Sequence, residues 1–89
     1  MKITLEDGFS IDVDEARLDN MELVEAISDL TEEENPLALA RVTRHLLGRE
    51  GKTQLYAHFR AEDGRVPTAA VSGAIGEIIQ KLGNTGKNS

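Results

Sequence analysis

The sequence predicts an α+β fold in which an N-terminal β-hairpin is followed by a small bundle of about four α-helices. Apolar residues alternate with polar ones over Ile3–Leu5 and Phe9–Val13. This period is typical of strands, and Glu6–Gly8 between them is typical of a hairpin turn. From residue 19 onward, apolar residues recur three and four positions apart, which indicates helices. Because a two-stranded hairpin is marginally stable alone, we expect its apolar face to pack on these helices.

The composition indicates one small, acidic, aliphatic domain. The chain has 89 residues without Cys or Trp, so apolar packing of a modest core must stabilise it. Its formal net charge is −6 and its pI is about 4.8, which disfavours binding to nucleic acid and to anionic membranes. No run of about 18 apolar residues is present to span a membrane. We expect a soluble intracellular protein with one domain over residues 1–82 and a flexible tail over residues 83–89.

Capping signals mark the first two helices. The first is expected to start at Asp19 or Asn20, since Asp19 lies three residues before a glutamate, the spacing of a capping box. The second opens at Asn35–Pro36, where Asn can cap and Pro fits the first helical position. Gly48 is expected to end this second helix.

Two further helices follow. The third is expected over about Lys52 to Glu62, with Gly64 as its stop, and Pro67 is expected to start the fourth. The apolar spacing within the four helices and the hairpin predicts the core. Its expected members are Ile11, Val13, Met21, Val24, Ile27, Leu39, Val42, Leu46, Leu55, Phe59, Val71, Ile75, Ile78 and Leu82.

The patterns of common catalytic and ligand sites are missing. Gly48–Thr53 ends in Gly-Lys-Thr, but Leu46 stands where a phosphate-binding loop needs Gly, and a helix precedes the segment instead of a strand. We therefore interpret it as a helix–helix connection. His45 and His58 have no further His or Cys at ligand spacing and are interpreted as surface residues. We predict no enzyme activity, no metal site and no cofactor.

A basic group on the second helix has several interpretations. Arg41, Arg44 and His45 fall on the face opposite its apolar stripe. They can form a solvated polar face. They can also pair with an acidic segment such as Glu32–Glu34 of a neighbouring copy, which would be self-association. A DNA-reading helix-turn-helix is a third interpretation, which the acidic remainder of the chain disfavours.

The fourth helix carries an unusual strip of small residues. Gly73 and Gly76 lie inside it, and each costs about 1 kcal/mol relative to Ala. Together with Ser72 they leave a flat strip that Ile79 extends. Either another helix of the same chain or a partner helix can approach closely there. The candidate protein-binding residues are therefore Ser72, Gly73, Gly76, Ile79, Arg41 and Arg44.

The order of these elements resembles the small tail assembly chaperones of long-tailed, siphovirus-type bacteriophages and prophages. The resemblance extends from about Ile11 to Leu82. It depends on the order of five segments, namely Asp19–Glu25, Asn35–Leu39, Leu46–Gly48, the helix with Leu55-Tyr56-x-x-Phe59, and Glu62–Pro67 before a last aliphatic helix.

The resemblance implies a protein that works in the cytoplasm of the bacterial host and is absent from the finished tail. Its expected partners are the tape-measure protein, a long helical chain that sets tail length, and the major tail tube protein. It would cover apolar helical segments of the tape measure until tube subunits replace it. Many members also exist as a longer, frameshifted form. Two alternatives stay open: a small acidic regulatory or antitoxin-like protein-binding module, and a helical nucleic-acid-binding protein.

Overall fold

The computed structural model describes residues 1–32 and 35–87, with side chains through residue 83. A two-stranded hairpin precedes a single-turn 3-10 helix and three α-helices. The elements are β1 (Lys2–Thr4), β2 (Ser10–Asp12), the 3-10 helix (Glu15–Leu18), α1 (Met21–Thr31), α2 (Ala38–Phe59) and α3 (Thr68–Lys87). The predicted α+β class and N-terminal hairpin are confirmed. The described chain has three α-helices instead of about four.

The hairpin is antiparallel, with Ile3 opposite Ile11. Its turn closes through a hydrogen bond of 2.8 Å from the N–H of Leu5 to the carbonyl of Phe9. Ile3, Leu5, Ile11 and Val13 are all buried, as the period-two alternation predicts. The buried face of the hairpin therefore forms one wall of the core.

An asparagine side chain caps the start of α1, and another closes the turn that precedes α2. Oδ1 of Asn20 accepts a hydrogen bond of 3.0 Å from the N–H of Glu22, which confirms one of the two predicted starts of α1. Oδ1 of Asn35 accepts a bond of 3.1 Å from the N–H of Leu37. Because this capped turn precedes the helix, α2 begins at Ala38, slightly later than predicted.

The buried face of α1 differs from the predicted one. Leu23 and Ala26 are buried, whereas 66% of Met21 and 50% of Val24 are exposed. Placing Met21 and Val24 in the core was therefore wrong. The helical repeat puts these two side chains on the side opposite Leu23 and Ala26, and α1 packs on α2. Ile27, which both arrangements share, is partly buried against the core.

A backbone break at Gly48 divides α2 into two helical segments, which correspond to the predicted second and third helices. Gly48 has φ 73° and ψ 179° within α2, a conformation that is essentially restricted to glycine. Two helical segments therefore meet at Gly48, the predicted stop of the second helix, and α2 from Ala38 to Phe59 consists of these two segments joined at the kink. The guanidinium of Arg17 lies where a Cβ atom at Gly48 would be, so the 3-10 helix packs against the break.

The fourth predicted helix is α3, which starts directly after Pro67. Glu77 and Lys81 attach it to the hairpin. The carboxylate of Glu77 accepts a hydrogen bond of 2.8 Å from the N–H of Glu6, and the ammonium of Lys81 donates one to the carbonyl of Thr4.

The bounds of α3 include residues 83–87 of the predicted tail, and residues 88–89 lie outside the described part. The flexibility of this tail stays a prediction.

Most of the predicted core is confirmed. The predicted residues that are buried are Ile11, Val13, Leu39, Val42, Leu46, Leu55, Val71, Ile75, Ile78 and Leu82. Phe59 packs against them while partly exposed. The list of expected core residues did not include the buried residues Leu23, Ala26, Ala38, Leu47 and Ala74, nor Ile3 and Leu5, whose burial only the strand alternation indicated. It also did not include Thr43, a buried polar residue whose hydroxyl donates a hydrogen bond of 2.8 Å to the carbonyl of Leu39.

None of the described helices combines the length and apolar character needed to cross a membrane.

Candidate protein-binding surfaces

The exposed side of α3 is uncharged over the residues whose side chains are described. We call this surface the α3 face. It consists of Thr68, Ala69, Ser72, Gly73, Gly76, Gln80 and Gly83. Helical geometry places all of them on one side of the helix, and Ile79 lies half-buried at its edge. Glu77 and Lys81 point away toward the hairpin. The structure thus brings Ser72, Gly73, Gly76 and Ile79 together, as predicted.

The glycines of the α3 face are not packed against another part of the described chain. A Cβ atom added at Gly73 or Gly76 would meet nothing within 4 Å. Close approach of a second helix of the same chain, one of the two interpretations of this strip, is therefore wrong. The other interpretation, a partner helix, stays a prediction.

The two candidate arginines on α2 lie in different environments. Nη2 of Arg41 forms an ion pair of 2.8 Å with Oδ2 of Asp29 on α1, so Arg41 helps to join the two helices. Arg44 is exposed, and no ion pair within the described ranges involves it. Arg44 is therefore the more available of the two for a partner's carboxylate.

An apolar groove lies between both ends of α2 and the start of α3. Its volume is about 480 Å³, and we call it the α2–α3 groove. The apolar residues along it include Pro36, Leu37, Ala40, Tyr56, Val66 and Val71. Leu37 is 81% exposed. Arg60 is the one charged residue among the described lining residues. The sequence analysis did not predict this groove. The one signal was Leu37, an apolar residue that falls outside the predicted buried stripe of Leu39, Val42 and Leu46.

A second exposed apolar surface lies on and before α1. We call it the α1 patch, and it consists of Leu18, Met21 and Val24, which are 38%, 66% and 50% exposed. Glu22 and Glu25 are exposed beside it. Sequence reasoning placed Met21 and Val24 in the core and therefore missed this surface.

A histidine joins the end of α2 to the hairpin turn. The ring of His58 stacks on that of Phe9, with centroids 4.2 Å apart and planes at 16°. Its Nε2 donates a hydrogen bond of 2.8 Å to Oδ2 of Asp7. This bond and, to a smaller extent, the one from the N–H of Phe9 hold the pKa of the Asp7 carboxyl below its ordinary value of 3.8. No sequence pattern indicated this contact, because Asp7 and His58 are 51 residues apart.

The Gly-Lys-Thr segment, which ends in Thr53, has a structural role inside a helix. Gly51, Lys52 and Thr53 lie inside α2, where the hydroxyl of Thr53 donates to the carbonyl of Arg49 at 2.9 Å. The segment is therefore not a phosphate-binding loop.

A groove of about 710 Å³ beside the hairpin is lined by charged groups of both signs. Within the described ranges, no three metal-ligating side chains are grouped to hold a metal ion.

Comparisons with protein-family models, with curated proteins and with solved structures gave no match. The functional inference therefore depends on the order of the sequence elements and on the surfaces described above.

Proposed function

We propose that the chain is a phage tail assembly chaperone. In this role it covers apolar helical segments of the tape-measure protein and helps to recruit subunits of the tail tube, in the cytoplasm of the bacterial host. The observation that carries the proposal is the uncharged, glycine-containing α3 face. The order of segments that resembles tail assembly chaperones supports it independently.

The α3 face has the chemistry of a helix-docking surface. Exposed helix faces in water usually carry charged residues, and exposed glycines within a helix cost about 1 kcal/mol each relative to Ala. Ser72, Gly73 and Gly76 leave the backbone of α3 open to a close approach, and Ile79 supplies an apolar edge. A partner helix can therefore lie along α3 at short range, as helix-in-groove recognition requires.

The same face is suited to reversible binding. Apolar burial stabilises a contact by about 25 cal/mol per Å², and Ser and Gly side chains bury little area. The α3 face therefore holds a helix weakly enough for tube subunits to displace it. Displacement of this kind matches a protein that is absent from the finished tail.

Three of the segments that carry the resemblance lie at the ends of helices. Asp19–Glu25 contains the cap and first turn of α1, and Asn35–Leu39 contains the capped turn before α2. Glu62–Pro67 forms the connection between α2 and α3. The α3 face thus belongs to the last aliphatic helix of the resemblance.

The alternative of a nucleic-acid-binding protein is less well supported. Binding to phosphates requires a cluster of available cations. The chain has a formal net charge of −6, and Arg41, half of the candidate pair, is engaged by Asp29. No described surface specifically favours the antitoxin-like alternative.

Co-expression with the tape-measure protein of the same genome tests the proposal. The long helical tape measure is expected to aggregate alone and to stay soluble with the wild-type chain. Gly76→Leu should abolish this effect, because its side chain fills the space that the partner helix occupies. Gly76→Ala is the matched control, since it keeps a small residue and should retain most of the effect.

The fold of both variants is checked by circular dichroism and thermal unfolding. Because open space surrounds Gly76, both should be at least as stable as wild type. Equal solubilisation by all three proteins would refute the role of the α3 face. A tape measure that stays insoluble with the wild-type chain would refute the chaperone proposal itself.

A further inference from the structure

Two exposed apolar surfaces of this chain have opposite charges at their edges. The α1 patch presents Met21 and Val24 beside the carboxylates of Glu22 and Glu25, which are exposed. The α2–α3 groove presents Leu37 beside Arg60, with no carboxylate among its described lining residues. Arg44 stands on the same side of α2 as Leu37, two helical turns further along.

We propose that the α1 patch of one copy docks into the α2–α3 groove of a second copy. A chain with net charge −6 generally repels its own copies. Contact is therefore expected where a positive region meets a negative one, as it does when Arg44 and Arg60 approach Glu22 and Glu25. The apolar centres, Met21 and Val24 on one side and Leu37 and Tyr56 on the other, would lose their contact with water.

The two surfaces of one copy cannot satisfy each other. Leu23 and Ala26 on the opposite side of α1 are buried, so α1 is held on α2 with the patch facing outward. The groove lies between α2 and α3. Only another molecule can bring an α1 patch into it.

The geometry points to a head-to-tail contact. One contact uses the α1 patch of one copy and the α2–α3 groove of the other. The remaining patch and groove of the pair stay free, unless a symmetric pair brings them together in a second, identical contact. The number of copies in an assembly should therefore increase with protein concentration, unless the assembly closes as a ring or a symmetric pair. This inference uses surfaces other than the glycines of the α3 face and does not depend on the proposed function.

Two single substitutions test the contact by sedimentation velocity over a range of concentrations. Met21→Asp disrupts the α1 patch, and Leu37→Asp places a negative charge in the groove. Both positions are exposed and lie at helix starts, where an aspartate is tolerated. Gln54→Glu, an exposed change of equal charge outside both surfaces, is the matched control.

The wild-type chain and Gln54→Glu should associate with rising concentration. Each aspartate variant alone should associate at least about tenfold more weakly, as expected for the loss of a central apolar contact. An equal mixture of the two variants should form one-to-one pairs. The Met21→Asp copy keeps an intact groove, and the Leu37→Asp copy keeps an intact patch.

A wild-type chain that stays monomeric at its highest soluble concentration would overturn the proposal. So would variants that assemble like wild type, or a mixture in which no pairs form. If the wild type is monomeric and Leu37→Asp instead loses a different protein partner, the groove serves that partner and the proposed contact is wrong.

Discussion

Glycine residues serve two different purposes in this chain. Gly48 adopts φ 73° and ψ 179° and lies under the guanidinium of Arg17, so its lack of a side chain is required by the fold. Gly73 lies in a regular part of α3 with open space where a Cβ would be. Its lack of a side chain is therefore unfavourable for the isolated fold.

Alanine substitutions at these two positions should change stability in opposite directions. Gly48→Ala should lower the free energy of unfolding by about 1–3 kcal/mol, the usual cost of forcing a side chain into such a conformation. Gly73→Ala should raise it by up to about 1 kcal/mol through helix propensity. Urea denaturation of both variants measures these changes. A destabilised Gly73→Ala protein would contradict the open space at the α3 face.

The hydrogen bond between His58 and Asp7 predicts a response to acid. The pKa of Asp7 is lowered in the folded chain, chiefly by His58. The resulting stabilisation is therefore fully present above pH 3.8, the ordinary value, and is lost as the pH falls through the lower folded value. Asp7→Asn can still cap the turn but cannot lose a proton.

The difference in unfolding free energy between wild type and Asp7→Asn should consequently shrink on acidification below pH 3.8. Urea titrations over a pH series measure this difference. The pKa of Asp63 is also lowered, by its bonds with the backbone and side chain of Arg65. Both proteins share that contribution, so it cancels. A difference that is constant with pH would contradict the Asp7–His58 contact.

At the scale of the elements, the sequence predicted where structure begins and ends better than which face is buried. The strand alternation, the Asn20 cap and the Gly48 break all followed from local rules of backbone chemistry. The choice of which face of α1 is buried did not follow from these local rules. The predicted stripe of Met21, Val24 and Ile27 left out Ala26, a small residue that is fully buried.

Alanine substitution on α1 distinguishes the two faces. Leu23→Ala should cost about 2–5 kcal/mol of stability, because Leu23 is buried and its truncation leaves a cavity. Met21→Ala should change stability by less than about 0.5 kcal/mol, as is usual for exposed positions. Thermal and urea unfolding measure both. The reverse order would show that α1 buries the predicted stripe instead.

At the scale of the whole molecule, the hairpin is held by contacts distant in sequence. Phe9 stacks on His58, and Glu77 and Lys81 of α3 bond the backbone of the hairpin. The sequence predicted only that the hairpin must pack on helices, since its apolar face had no other place to be buried. These particular partners depend on tertiary geometry, which no local pattern encodes.

This arrangement also explains the charge of α3. Glu77 and Lys81, the charged residues among its described side chains, are directed to the hairpin. The opposite side is left without charge, and it is the surface on which the proposed function depends. The candidate residues Ser72, Gly73, Gly76 and Ile79 were predictable from helical spacing, whereas the α1 patch and the α2–α3 groove emerged only from the packing of α1 and α2.

Nuclear magnetic resonance of the isotope-labelled chain, titrated with a soluble apolar helical segment of the tape-measure protein, tests the central claim most directly. Working below the concentration at which the chain self-associates keeps the two proposed contacts separate. We expect the largest amide shifts at Ser72, Gly73, Gly76 and Ile79, with fast exchange that reflects weak binding. Shifts centred on the α1 patch or the α2–α3 groove, or none at saturating segment, would contradict the account.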